Sequence, residues 1–393
     1  MSRPERRDSR ATLADEEGSS KTVIETPPDP YEEFMRLPLG QESDDPRVDV
    51  RRARLEDFEQ IYDCVDAAFG TVRPHALYDW LYVRNPFGTA RVWIVVEKTT
   101  QQVLKTGAFY PWPIWRGSEP LMGSLSGDAA TLPEWQRKGL SRVRRIVRRS
   151  HPWSGKIASI AGPNQGSIIV SRKAGEGNSI LGALTGGVAI LRGGPVLEKA
   201  GLPSWLASPA GALANGLFSS WRSVALRKAS SAAGRVETVG RFTTDYDDVT
   251  ERTMAFPAYW SPHNAEFLNW RYLDHPTEQY VGFALVENER PVAYSVLRID
   301  GSEATLSEFA ADTLPGDGAV KLLDATLQAA REAGCAYVTF FGTPVWRHWG
   351  LFRRAGLLPY KTKNYLDATY KVDEKNSQKI ENWQLTPGDR DYH

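Results

Sequence analysis

Apolar positions along this chain recur with two periods, one helical and one alternating, and their order predicts mixed helices and strands. The stretch "VDVRRARLEDFEQIYDCVDAAFG" starts as a short strand. It continues as a helix whose Phe58, Ile61, Tyr62, Val65, Ala68 and Phe69 share one face, and Gly70 ends it. "RVWIVVE" (91–97) reads as a strand, "QVLKTGAFYPWPIW" as its hairpin partner and "LMGSLSGDAATL" as a third strand. A helix follows from near Gly139, with Val143, Ile146 and Val147 inward and five arginines outward. "KIASIAG" (156–162) is a strand and "QGSIIVSRKAG" (165–175) a short helix capped by glycine.

The second half repeats this order. Residues 283–312 give three strands joined by tight turns, and 318–334 an amphipathic helix. "CAYVTFFG" (335–342) is a strand and "WRHWGLFRRAG" (346–356) a short helix. "WLYVRNP" at Trp80–Pro86 returns as "WRYLDHP" at Trp270–Pro276, and Glu97 and Glu287 stand at matching places in corresponding strands. A shared motif within a shared element order predicts one fold written twice.

The expected organisation is a disordered tail (1–46), a first domain (47–195) and a helical connector (196–235), then a second domain (236–372) and a polar C-terminal tail (373–393). The Gly- and Leu-rich stretch after residue 176 is expected to complete the first domain's sheet.

Charge narrows the partners. Lys+Arg and Asp+Glu both number 48, which argues against a protein held on nucleic acid or anionic lipid by bulk charge. The two cysteines, Cys64 and Cys335, exclude a disulfide framework and read as buried thiols. No apolar run reaches the length of a membrane span and no signal peptide opens the sequence, so a cytoplasmic protein is expected. The six histidines show no metal-ligand spacing.

The strongest chemical signal is "GDAATLPEWQRKGLSRVRRIVRR" (127–149). A strand enters a loop whose Gly139 opens a helix, a geometry that aims backbone N–H groups and a helix dipole at a phosphate; an ordinary turn is the alternative. "PEWQRKGLS" resembles the Q/R-x-x-G-x-G/A loop of the GNAT superfamily of acyl-CoA N-acyltransferases, with Gln136, Gly139 and Ser141 on its marked positions. "ATLPE" matches the entry from the fourth strand, and "GPNQGSIIVSRKAG" resembles the family's next block. The resemblance covers about residues 48–195, and residues 236–372 resemble a second copy.

That resemblance implies an α/β (α+β) fold: two tandem GNAT-like domains, each with a mixed, mostly antiparallel twisted sheet flanked by helices. It implies acetyl-CoA or another acyl-CoA as co-substrate and a small-molecule amine as acceptor. Amides of Arg137, Lys138, Gly139, Leu140 and Ser141 would cradle the pyrophosphate, with Arg142 near a phosphate. The strand edge at Ala129, Ala130 and Thr131 would hold pantetheine, and Asn164 would lie near the thioester. Two departures stand out: Ser141 replaces the usual Gly or Ala, and Ser171 stands where the family often has a tyrosine acid. Asp128, then Glu134, are the candidate general bases, although an aspartate there equally suits pairing with an arginine. Tyr110 and Trp112 are candidates to line the acceptor pocket, against a core role.

In the second half "DTLPGDGAVKLL" lacks the loop pattern and carries Asp312 and Asp317, so this copy is not expected to bind coenzyme A. Its Trp346, Arg347, His348 and Trp349 would face the acceptor or pack as a helix. The layout and the closing "NWQLTPGDRDYH" resemble tandem GNAT proteins of bacterial polysaccharide or cell-envelope biosynthesis, which implies an amino sugar acceptor. The alternatives are a degenerate pair serving binding or assembly, and a Fem-type aminoacyltransferase.

Overall fold

A computed structural model of the chain describes residues 40–41, 43–150, 157–173, 179–199, 201–213, 232–254, 259–311 and 317–390. The first 39 residues, expected to be disordered, lie outside the described residues, as do 214–231 of the expected connector, His151, Gly175 and Asp312. Ile146 and Val147 lie on a described helix, but their side chains are outside the described set, as is that of Asp317.

The first half runs β1 (Val48–Arg52), α1 (Phe58–Phe69), α2 (His75–Tyr82), β2 (Arg91–Glu97), β3 (Val103–Lys105), β4 (Ala108–Pro111), β5 (Gly123–Gly127), α3 (Leu140–Ser150), β6 (Ala158–Ala161), α4 (Gln165–Lys173) and β7 (Ile180–Ile190). The second runs β8 (Arg235–Val239), α5 (Asp245–Met254), β9 (Tyr280–Glu287), β10 (Arg290–Asp300), β11 (Glu303–Ala311), α6 (Asp317–Glu332), β12 (Tyr337–Gly342), α7 (Trp349–Arg354) and β13 (Leu358–Thr369). Local chemistry sets several of these limits. The α1 helix buries Phe58, Ile61, Tyr62 and Val65 and stops where Gly70 turns left-handed at φ +66°.

All these strands join one sheet, in the order β1-β2-β4-β5-β6-β13-β7-β12-β11-β10-β9-β8, with β3 beside β2. Each half contributes one parallel pair, β5 with β6 and β11 with β12; the other ladders are antiparallel. The centre departs from expectation. Strand β7 does not complete the first half's sheet: it pairs with β12 and β13, while β13 pairs with β6 through Asp367↔Ala161. The halves have exchanged their last strands, so each sheet is finished by the other half. Each of these strands offers backbone groups on both edges, and a ladder with the partner half satisfies them as well as one at home.

The repeated motifs meet at the pseudo-dyad. The Trp80 and Trp270 rings stack with centroids 4.8 Å apart, and one continuous core runs from Val48 in the first half to Leu385 near the C-terminus. A second core, around Phe309, Phe340 and Leu323, lies beneath α6. The stretch expected to be a polar tail is instead folded in. Trp383–Gln384 forms a short strand against Tyr259–Trp260, and Trp383, Leu385 and Asp389 are buried. No helix among the described residues is long and apolar enough to cross a membrane.

Candidate functional site

Strand β5 of the first half pairs with β6 from Gly123↔Ala158 to Ser126↔Ala161, and beyond that the two strands part. A tight turn, in which Ala130 N–H donates to Asp128 O at 2.9 Å, carries the chain onto β3. There Thr106 N–H donates to Ala130 O and Leu132 N–H to Leu104 O. The alternation of an antiparallel ladder therefore turns the backbone groups of Ala129 and Thr131 away from β3, toward the gap. Ala130 differs from expectation: both of its backbone groups are already bonded, so the available edge is the backbone of Ala129 and the N–H of Thr131.

Two left-handed residues, Arg137 at φ +63° and Gly139 at φ +86°, then turn the chain into α3. The Leu140 and Ser141 N–H groups that open this 11-residue helix have no intrahelical acceptor at its positive end, while Arg142 N–H turns back to Gly139 O at 2.9 Å. Space beside Gly139 is open: a Cβ there meets nothing within 4 Å. Arg137, Lys138 and Arg142 are exposed around the loop, and Lys138 Nζ sits 4.7 Å from the Trp135 ring centroid, which braces it. Gln136 donates its side-chain amide to Thr131 O at 3.4 Å, and its own N–H goes to Pro133 O at 3.2 Å. Leu140 buries its side chain and Ser141 is half-buried. This arrangement fits a phosphorylated ligand whose tail lies along an open strand edge.

The carboxylate expected to act as base is occupied. Asp128, 5% exposed and at φ +44°, accepts from Arg73 Nη1 at 2.9 Å, Tyr82 OH at 2.9 Å and Tyr110 OH at 2.7 Å. An acceptor filled by a cation and two phenols is an anchor that shapes the bend of β5; proton abstraction would first require these bonds to break. Tyr110 is thereby a core residue, as is Trp112, which donates to Asp389 Oδ1 at 3.1 Å. Glu134 lies exposed on the loop, six residues past Asp128 and outside the parted strands. Asn164 comes three residues after β6 ends, and its Oδ1 accepts from Ser167 N at 2.8 Å, capping α4. Ser171 is half-buried on α4.

Sequence reasoning passed over Lys105. Lys105 is 5% exposed, and its Nζ donates to Thr131 Oγ1 at 2.8 Å. Burial, helped by the charges of Arg144 and Arg145, pushes its pKa down to about 7. One charged residue inside the alternating "QVLKTGAFY" was the available signal.

The second half has the same frame with different contents. Tyr272 OH donates to Glu308 Oε2 at 3.1 Å, the counterpart of Tyr82 on Asp128. The cation here is His263, whose Nδ1 meets Glu308 Oε2 at 2.5 Å and whose Nε2 meets Asp389 Oδ1 at 2.9 Å, all three side chains being within 1% of full burial. Burial alone would push His263 down; Glu308 and Asp389 overcome it and raise the pKa to about 10. Asp389 belongs to the C-terminal segment, which lies where β11 and β12 part. Thr343 N–H donates to Leu385 O at 3.4 Å and Thr386 Oγ1 to Glu308 Oε2 at 3.1 Å. Arg271 Nε and Nη2 donate to Gly388 O and Arg390 O at 3.2 and 2.6 Å. The chain's own end thus fills the cleft that the first half leaves open. Trp346 and His348 are buried rather than facing an acceptor, and Arg347 caps α5 through Arg252 O and Thr253 O. Among the described residues no group of three or more His, Cys, Asp and Glu is placed to hold a metal ion.

Solved structures share this fold. The chain is similar to a probable N-acyltransferase of Enterococcus faecalis V583, with a TM-score of 0.57 and 11% identity over 83% of this chain and 73% of that one. It is similar to a GCN5-related N-acetyltransferase from Anabaena variabilis ATCC 29413, with a TM-score of 0.53 and 11% identity over 81% and 72%. It is also similar to a tandem GNAT protein from the clavulanic acid biosynthesis pathway, with a TM-score of 0.50 and 13% identity over 81% and 97%. No family description matches the sequence, and no curated protein does. At this identity the likeness defines the fold: a GNAT-like, mixed α/β architecture with a large mixed sheet flanked by helices.

Proposed function

We propose that the protein is an N-acyltransferase that moves an acyl group, acetyl in the simplest case, from coenzyme A to a primary amine. One observation carries this reading: the open edge at Ala129 and Thr131 leads straight into the left-handed Arg137–Gly139 loop and the N-terminus of α3. Pantetheine would extend the sheet along that edge, and the pyrophosphate would meet the amides of Arg137 to Ser141. The amine attacks the thioester carbonyl, the C–S bond breaks, and the thiolate leaves. A thiolate is a good leaving group, so Ser171 need not act as a strong acid. With Asp128 tied to Arg73, the amine's proton passes to solvent or to the departing sulfur.

The first half would do the chemistry and the second would wall the acceptor side. An amino sugar acceptor would find no platform in Trp346, which is buried. Calorimetric titration with acetyl-CoA, wild type against Gly139→Glu, tests the reading. Tight binding by wild type and loss in the variant are expected. No binding by wild type overturns the activity, and binding unchanged by the variant overturns the site.

A further inference from the structure

A small recess of about 40 Å³, open to solvent, lies between the second half's sheet and the C-terminal segment, and Arg271, Tyr280, Arg298, Thr305, Ser307 and Phe341 line it together with the backbone of Gly388. No lining residue is acidic. Arg271 Nη1 has no partner among the described residues, its other two nitrogens being bound to the C-terminal carbonyls. Arg298 makes a long ion pair, 3.7 Å, to the partly exposed Glu278, and lies within hydrogen-bonding reach of the Tyr280 hydroxyl. Two guanidinium groups and three hydroxyls thus converge on one small space.

The recess adjoins the first half's site. Two residues past Gly388, the Arg390 guanidinium lies 5.5 Å from the centre of the Phe341 ring. On its other side it occupies the space beside Gly162, where a Cβ would come within 2.5 Å of it. Gly162 immediately follows β6 and precedes Asn164 by two residues. The Arg390 side chain thus reaches from the recess to the end of β6. The chain repeat sharpens the point: Arg271 takes the position of Leu81 in the first half, so the cation is particular to this side.

We infer that the recess is the acceptor's anion subsite: the amine substrate carries a carboxylate or phosphate, held by Arg298, Arg271 and the Tyr280 and Ser307 hydroxyls. A guanidinium fork suits either oxyanion. The subsite lies in the half that lacks the coenzyme loop, giving that half a role in choosing the acceptor. This inference rests on the amine-acylation reading.

Two arms test it. In the first, thiol release from acetyl-CoA is followed with glutamate, glucosamine 6-phosphate and uncharged glucosamine as acceptors. An anionic acceptor should exceed glucosamine in kcat/KM by about tenfold or more, and Arg298→Gln should raise its KM by about the same factor with kcat little changed. Arg298→Lys should recover part of the loss, and acetyl-CoA affinity should stay constant. Preference for glucosamine, or a KM indifferent to Arg298→Gln, overturns the subsite. In the second arm, malonate and inorganic phosphate are titrated onto Gly139→Glu protein, whose coenzyme loop repels anions, with and without Arg298→Gln. Stabilisation of the protein that depends on Arg298 supports the subsite even if no acceptor in the panel reacts; its absence overturns the subsite. Failure to bind acetyl-CoA would overturn the acyltransferase reading alone. The carboxylate and phosphate probes separate the two possible sources of the anion.

Discussion

Trp80 and Trp270, 190 residues apart, donate their indole N–H groups to each other's backbone carbonyls, at 3.0 and 3.3 Å. The motif echo in the sequence is therefore a contact in the structure: the two copies of one tryptophan lock the halves together at their pseudo-dyad. Replacing either residue by Phe should keep most of the stacking and lose one hydrogen bond, lowering stability by about 1 kcal/mol. The double substitution should cost less than the sum, by about 0.5 kcal/mol or more, because the first already loosens the stack. Urea unfolding of the four proteins checks this; strict additivity would separate the two bonds.

At Gly139 conformation and charge can be tested apart. Alanine there must hold φ +86°, at a cost of about 1–2 kcal/mol, with no steric contact. Gly139→Ala should weaken acetyl-CoA binding moderately. Gly139→Glu adds a carboxylate facing the proposed pyrophosphate site and should weaken it by about 100-fold, near 3 kcal/mol. Equal losses in both variants would assign the effect to backbone strain.

Asp128 should behave as an anchor. Asp128→Asn removes the buried carboxylate that pairs with Arg73 and accepts from Tyr82 and Tyr110, and should lower stability by about 3 kcal/mol or more. Glu134→Gln, on the exposed loop, should stay within about 0.5 kcal/mol of wild type. If Asp128→Asn retained full stability while losing catalysis, the residue would be the general base after all.

Two buried groups set opposing pH slopes. His263 has a folded pKa of about 10, above its usual 6.5, so its stabilisation is complete below pH 6.5 and is lost as pH rises toward 10. Lys105 has a folded pKa of about 7, below its usual 10.5, so the folded state gains stability as pH rises from 7 toward 10.5. Between pH 7.5 and 8.5 each slope approaches about 1.4 kcal/mol per pH unit, and the two nearly cancel. Wild type should therefore show a nearly flat unfolding free energy there. Lys105→Met should unmask a decline with pH, and His263→Gln a rise. A flat profile in both variants would show that neither group is shifted.

What the sequence disclosed was local. The period of Phe58 to Phe69, the turn at Gly139 and the echo of Trp80 in Trp270 each depend on residues close together in the chain or on a direct repeat. What stayed hidden was pairing at long range. "SILGALTGGVAIL" reads as a strand, but its glycines and small residues carry no preference for β6 over β12. "NWQLTPGDRDYH" reads as a polar end because Asp389 finds Trp112 and His263 only 277 and 126 residues earlier. The Asp128 anchor was half visible: pairing with an arginine was foreseen, but Arg73 comes from the far end of the α1 turn and could not be named.

Exchange of the last strands also sets a schedule for synthesis. Ala158–Ala161 must wait for Asp367–Thr369 before its free edge is covered, so more than half of the chain has to leave the ribosome in between. Domains ordinarily fold from the N-terminus as they emerge. Here the half that carries the Arg137–Gly139 loop stays unfinished until its partner is nearly complete, so the protein matures as one unit and that half has no independent folded life.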